Sequence, residues 1–257
     1  MIVLENFDIF CPMSEENVEN PLGYEKISTL LRKFAVPGII AMVVNSIYNI
    51  VDQIFIGWGV GYLGNAATNV AFPVTVIAVA VFLSLGVGGA TRYSIYLGEK
   101  RTEDAAKVVG IAVPAAVAFG IIYAAFVFIF LKQMLFAFGA TDEIFKYALQ
   151  YTSITNIGLP FIVIMNVISH IAMADGSPKY SMLIMVTGAI INTILDPIFI
   201  FVFQLGVAGA AWATVIAQIV SFSISVVYLK KFKRVTLKKE YFRLNLRQAM
   251  VTVKYGM

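Results

Sequence analysis

Six stretches free of lysine, arginine and glutamate divide the chain, at positions 34–56, 66–90, 108–131, 147–174, 180–203 and 206–229. Each exceeds the roughly 20 apolar residues that cross the hydrocarbon core of a bilayer. None alternates strictly between polar and apolar positions, and all are too long for single strands, so the pattern predicts helices. A spanning helix also satisfies every backbone group within itself, as lipid requires. The stretches are joined by short polar loops, which predicts an up-down bundle of six transmembrane helices in which neighbours in sequence are antiparallel neighbours in space.

Composition agrees. Apolar residues make up 60% of the 257 positions, charged residues 13%, and the mean hydropathy is +0.84. A water-soluble domain carries about twice that charged fraction. The net charge of +4 is unevenly placed. Lys26, Arg32 and Lys33 precede the first stretch, Arg92, Lys100, Arg101 and Lys107 join the second to the third, and Lys179 joins the fourth to the fifth. Lys230, Lys231, Lys233, Arg234, Lys238 and Lys239 follow the sixth, whereas the opposite face has only Lys132 and Lys146. The positive-inside rule then predicts cytoplasmic termini in a plasma membrane. This placement makes the basic run a topogenic connector that touches anionic lipid heads, and argues against nucleic acid as a partner.

Three regions follow: an acidic cytoplasmic tail over 1–25, a six-helix lobe over 26–229, and a basic connector over 230–257. The tail lacks the positive start and apolar core of a signal peptide. The lone Cys11 offers neither a disulfide framework nor a metal set, and the sequence predicts no cofactor. Prolines fall inside five of the stretches, at Pro37, Pro73, Pro114, Pro160 and Pro197. Such breaks are tolerated in membranes where protein or a water-filled cavity receives the freed carbonyl. Gly86, Gly88 and Gly89, with Gly206 and Gly209, read as sites of close helix packing.

The two carboxylates inside the stretches, Asp52 and Asp196, carry the functional argument. Burying a charge in a spanning helix costs on the order of 3 kcal/mol, so such residues are functional candidates by default. Each lies within two turns of the outer end of its helix, which puts both in the same outer third of the bilayer. Asn192 is one turn from Asp196, and Thr214 on the returning sixth helix reaches similar depth, with Gln218 one turn deeper. Asn45, Asn49 and Asp52 share a face of the first helix. Polar faces of helices 1, 5 and 6 are therefore expected to converge on one pocket. Two carboxylates in a low-dielectric site cannot both stay ionised unless a cation joins them. Protons and a small hard cation such as Na⁺ compete for those oxygens, and Asn192 and Thr214 complete the shell. The plainer readings are that Asp52 reaches toward the interface and that Asp196-Pro197 merely ends a helix. His170 reads as a structural histidine, Asn166 as a residue facing a cavity, and 175–178 (Asp-Gly-Ser-Pro) as a turn. The chain shows no Ser/His/Asp array, His-rich motif or phosphate-binding glycine loop, which argues against an enzyme.

There is a faint internal echo. Asn49-Ile-Val-Asp52 leads into Gly64-Asn-Ala-Ala-Thr68, and Asn192-Thr-Ile-Leu-Asp196 leads into Gly209-Ala-Ala-Trp-Ala-Thr214. Internal repeats are common in transporters. The second segment, Asn192-Thr-Ile-Leu-Asp196-Pro-Ile-Phe-Ile200 followed by Leu205-Gly-Val-Ala-Gly-Ala-Ala-Trp-Ala-Thr214, resembles the signature of the multidrug and toxic compound extrusion (MATE) family. Pro37 and Tyr48-Asn-Ile-Val-Asp52-Gln-Ile-Phe-Ile-Gly57 match its first helix. Met173 stands where the family pattern leads one to expect an arginine. The resemblance covers roughly residues 20–250 and is nearest the bacterial branch with DNA-damage-inducible efflux proteins.

The resemblance implies one six-helix lobe of a twelve-helix, two-lobe transporter in a bacterial plasma membrane. It implies export of organic, often cationic compounds in exchange for Na⁺ or H⁺, with the N-lobe cation site at Asp52, Asn192, Asp196 and Thr214. Asn45, Asn49, Asn166 and Gln218 are the candidates for lining the substrate cavity. A second lobe, expected after Met257, or a homodimer partner would close the pathway. Two other readings stay open at this point. One is a flippase for lipid-linked precursors of similar fold, expected to show cavity arginines in place of the carboxylate pair. The other is a fragment that does not transport by itself.

Overall fold

A computed structural model describes residues 26–257, so the acidic tail over 1–25, including Cys11, lies outside the described residues. Six long helices form among them: α1 (Ile27–Gly59), α2 (Tyr62–Gly98), α3 (Thr102–Ala137), α4 (Asp142–Ala174), α5 (Pro178–Pro197) and α6 (Val207–Tyr228). There is no strand among the described residues. Most of the helices outrun their apolar stretches by a turn or more. Charged residues suit those ends: Glu103 and Asp104 open α3, Asp142 and Glu143 open α4, and in each case the acids face the positive end of the helix dipole. The α4–α5 turn has Gly176 at φ +83° and Pro178 at the first helical position, as the 175–178 segment predicts.

The helices continue through Pro37, Pro73, Pro114 and Pro160. Pro197 acts differently. It closes α5, and the next five residues, Ile198–Val202, form a π-helical turn. Proline cannot donate to the carbonyl four residues back, so the ladder re-forms with a wider ring.

Packing departs from sequence order. α4 is the central helix, pressed against α2, α3 and α6, and its Ile168 and Ile171 join Phe82, Val109, Val127 and Leu135 in the core. α1 hardly touches its sequence neighbour α2 and lies along α5. The expectation that consecutive helices are spatial neighbours fails for this pair, because the buried strip of α1 is only Pro37, Ala41, Asp52 and Ile56. The partners of Asp52 and Ile56 are on α5, its π-turn and α6, and a long side of α1, including Met42 and Trp58, is exposed.

The connector is also more ordered than a linker. After a 3₁₀ turn at Lys239–Tyr241, residues Leu246–Gly256 form α7, capped by Asn245, whose side chain accepts from the Gln248 N–H at 3.1 Å. Buried Arg92 of α2 donates to Thr252 Oγ1 at 2.8 Å and Gln248 Oε1 at 3.0 Å. Gly88 is read from sequence as a close-packing residue and meets α7 itself: a Cβ there would run into the Thr252 carbonyl.

A buried ion-site candidate between helices 1, 5 and 6

The polar cluster starts on α5. One helical turn separates Asn192 from Asp196, so both side chains leave the same face toward α6. Asn192 Nδ2 donates to Asp196 Oδ1 at 3.2 Å and to Thr214 Oγ1 at 3.3 Å. Thr214 in turn donates to the Ala210 carbonyl at 3.0 Å, so beside the bond it accepts from Asn192 its oxygen keeps one further lone pair. From α1, the Asp52 carboxyl comes within hydrogen-bonding reach of Asp196. Asp196 is 0% exposed, Asn192 3% and Asp52 8%, so these groups sit inside protein and not against lipid.

The site is sealed at one end. Ile56, Ile200 and Ala210 form a small apolar cluster of their own, with Phe55 and Tyr151 packed on it. Each lies four residues from a site residue: Ile56 from Asp52, Ile200 from Asp196 and Ala210 from Thr214. One turn beyond the polar layer there is thus an apolar layer built by the same three helices. The π-turn brings Ile200 into it. A dry layer beside a carboxyl pair keeps water from one side of it, and electrostatic interactions are stronger there.

Three buried oxygens in this layer have no donor in the protein: Asp52 Oδ1, Asn192 Oδ1 and Asp196 Oδ2. Buried acceptors are nearly always satisfied, so such a trio calls for a ligand that offers positive charge or protons. The set is all oxygen, which suits a hard cation or a proton and not a soft metal. No group of three or more His, Cys, Asp or Glu that could hold a metal ion occurs among the described residues.

Two tyrosines belong to this neighbourhood and were not singled out by chemistry in the sequence. Tyr48 lies one turn before Asp52 on α1, and Tyr151 of α4 lies close to Asp52 and Asp196, with its hydroxyl within reach of Thr214. The helical spacing of Tyr48 and the depth of Tyr151 near the outer start of its stretch were the available signals. Gln53 adds a contact of 3.5 Å to Asp52 and accepts from Thr68 of α2 at 3.1 Å.

The four cavity candidates do not join the cluster. Asn45 and Asn49 are exposed on α1, where Asn49 Nδ2 donates to the Asn45 carbonyl at 2.7 Å. Asn49 instead lines an open groove of about 580 Å³ with Gln53, Gly57, Trp58 and Asn65. The expected single polar face of α1 therefore divides, since the strip packed on α5 is too narrow to cover Asn45 and Asn49 together with Asp52. Asn166 is half-buried and donates to the Ile162 carbonyl at 2.7 Å. Gln218 lies between α6 and α4 with its amide oxygen over Gly158, where a Cβ would collide with it. His170 packs its ring against Gly86 of α2.

Six helices long and apolar enough to cross a membrane, packed around a buried carboxyl pair where α1, α5 and α6 meet, define an all-helical membrane lobe. The chain belongs to the MatE family, whose model matches residues 37–198. It is 29% identical over 227 residues to the multidrug export protein MepA of Staphylococcus saprophyticus, which covers 86% of this chain and 49% of that protein. The Staphylococcus haemolyticus MepA is 30% identical over 223 residues, covering 85% and 47%. Among solved structures, an outward-facing MATE transporter of the MOP superfamily superposes with TM-score 0.80 at 28% identity, covering 87% of this chain and 49% of that one. A Pyrococcus furiosus transporter of the same superfamily, described as having a binding pocket of reverse polarity, gives TM-score 0.81 at 27% identity, with 88% and 50% covered. The chain thus spans about half the length of the curated relatives it matches. The MepA relatives are named as multidrug export proteins and the outward-facing structure as a multidrug resistance transporter, and these are not enzymes.

Proposed function

We propose that the complete protein is a secondary antiporter of a bacterial plasma membrane, expelling organic and often cationic compounds in exchange for Na⁺ or H⁺. The observation that carries this reading is the buried carboxyl pair, one unpartnered oxygen on each, beside the unpartnered amide oxygen of Asn192. A binding protein that works by alternating access needs a group whose charge changes on loading, and two carboxyl groups that share one site supply it. When the site is loaded, its charge is balanced and the lobe relaxes toward one arrangement. When it is empty, carboxylate repulsion favours another. Asn192 holds Asp196 and Thr214 in register, and Tyr48 and Tyr151 wall the site. The lobe acts with a second six-helix lobe, which the length of its relatives supports. The carboxylate pair favours efflux over the flippase reading, for which cavity arginines are expected.

Everted vesicles test this reading. The complete two-lobe protein should load a fluorescent organic cation when a Na⁺ or proton gradient is imposed, and stop when an ionophore collapses it. Export indifferent to both gradients would refute antiport. With Cys11→Ser in the background, an impermeant thiol reagent should label Lys179→Cys or Lys239→Cys in these vesicles and spare Gly61→Cys and Lys146→Cys, as cytoplasmic termini require.

A further inference from the structure

At the start of α3 the connector folds back against the bundle and leaves a cleft of about 570 Å³, lined by Thr102, Glu103, Lys233, Arg234, Lys238 and Tyr241 among others. Both walls of this cleft are fixed. In the α4–α5 turn, Asp175 is 1% exposed and accepts from the Tyr93 hydroxyl at 2.5 Å, the Tyr228 hydroxyl at 2.7 Å and the Lys233 backbone N–H at 2.9 Å. The Phe232 ring lies between those tyrosines, at 6.0 Å from Tyr93 and 5.1 Å from Tyr228. Val235 is buried in the core. The backbone at 232–235 is therefore pinned, and the side chains of Lys233 and Arg234 leave it from a rigid base. On the other wall, Tyr241 presses its backbone on Gly110 of α3, where no Cβ would fit.

The charge of the cleft is positive. Its one acid, Glu103, is held by Lys107 at 2.9 Å. Arg101 and Lys107 pair with Glu99, Glu103 and Asp104, and none of these acids takes up Lys233, Arg234 or Lys238 in an ion pair. Three cations thus converge on one polar hollow. Gly110, on which Tyr241 rests, is the third residue of the apolar stretch of α3, which begins at Val108, so in a membrane-spanning lobe the cleft falls near the boundary between hydrocarbon and head groups. One guanidinium and two ammonium side chains lining a single cleft, with Tyr241 among them, match the oxygens of a phosphate.

We propose that this cleft binds the phosphate of an anionic phospholipid, so that a lipid head group clips the connector to the inner turn of the bundle.

Native mass spectrometry of the full 257-residue chain in uncharged detergent, offered equimolar phosphatidylglycerol and phosphatidylcholine, tests the proposal. Phosphatidylglycerol should be retained in preference. Each cation near a head group contributes about fivefold to such binding, so the double variant R234Q/K238Q should hold it about 25-fold more weakly. The charge-preserving R234K/K238R should bind more tightly than R234Q/K238Q, and K132Q/K146Q, at the opposite end of the bundle, should bind as the wild type does. Equal retention of phosphatidylcholine by the wild type would overturn the proposal, as would undiminished phosphatidylglycerol binding by a folded R234Q/K238Q. Displacement of the lipid by free glycerol phosphate at the same concentration would overturn it too, since the site would then serve a soluble phosphate. Should R234Q/K238Q fail to insert, the wild-type lipid preference and the glycerol phosphate competition decide alone.

Discussion

Asp196→Asn in the complete two-lobe protein should reduce gradient-driven export to the level of vesicles without transporter, while the helices remain inserted. The substitution keeps the volume of the side chain and its contact with Asn192, which is 3.2 Å away. It removes ionisation. Asp196 is the most enclosed member of the pair at 0% exposure, and one of its oxygens has no donor in the protein. An amide there cannot take up and release a proton, nor balance a cation shared with Asp52. The change in charge on which antiport depends is lost at its centre. Asp52→Asn should act in the same direction. Normal export by Asp196→Asn, measured in everted vesicles with comparable protein levels, would remove this residue from the coupling mechanism.

The second large effect concerns the lobe by itself. A monomer of the 257-residue chain should not transport. Its α1 packs mainly along α5 and leaves a long apolar side exposed, with Asn45 and Asn49 set among exposed residues such as Met42, Ile47 and Ile50. Polar groups facing hydrocarbon need partners, and a pathway needs walls on both sides. The exposed side of α1 is thus the side on which a second lobe or a second copy is expected. Reconstituted into liposomes under an imposed Na⁺ or proton gradient, the chain should give no uptake of an organic cation unless it is dimeric. Robust transport by a demonstrated monomer would defeat this. Transport by a homodimer would make the chain a half-size transporter.

Much of the architecture was legible in the chain. Six apolar stretches have one physical solution in lipid, and two lone acids inside them stand out because they are costly there. The arithmetic of depth along helices 1, 5 and 6 selects the four residues that the structure gathers: Asp52, Asn192, Asp196 and Thr214. What helical spacing cannot supply is which neighbour each face meets. Asn45 is nearly in phase with Asp52, yet one is exposed and the other buried, because α5 covers only part of α1. Tyr151 comes from α4, a helix whose polar residues gave no reason to turn toward the pair. The π-turn after Pro197 depends on how the freed ladder re-forms against α6, where Gly209 lets Phe199 approach. Helix α7 is short and follows the basic run at 230–239, so the whole segment reads as a connector, whereas Arg92 and Gly88 of α2 give it a docking surface that only tertiary contact reveals.

The central claim is that Asp52 and Asp196 exchange a cation or proton, and infrared difference spectroscopy of the complete protein tests it most directly. Replacing K⁺ by Na⁺, or raising the pH, should convert a protonated carboxyl signal into a carboxylate signal in the wild type, and the double variant D52N/D196N should lose that change. A wild-type spectrum that responds to neither Na⁺ nor pH would contradict the account, as would the same response persisting in D52N/D196N.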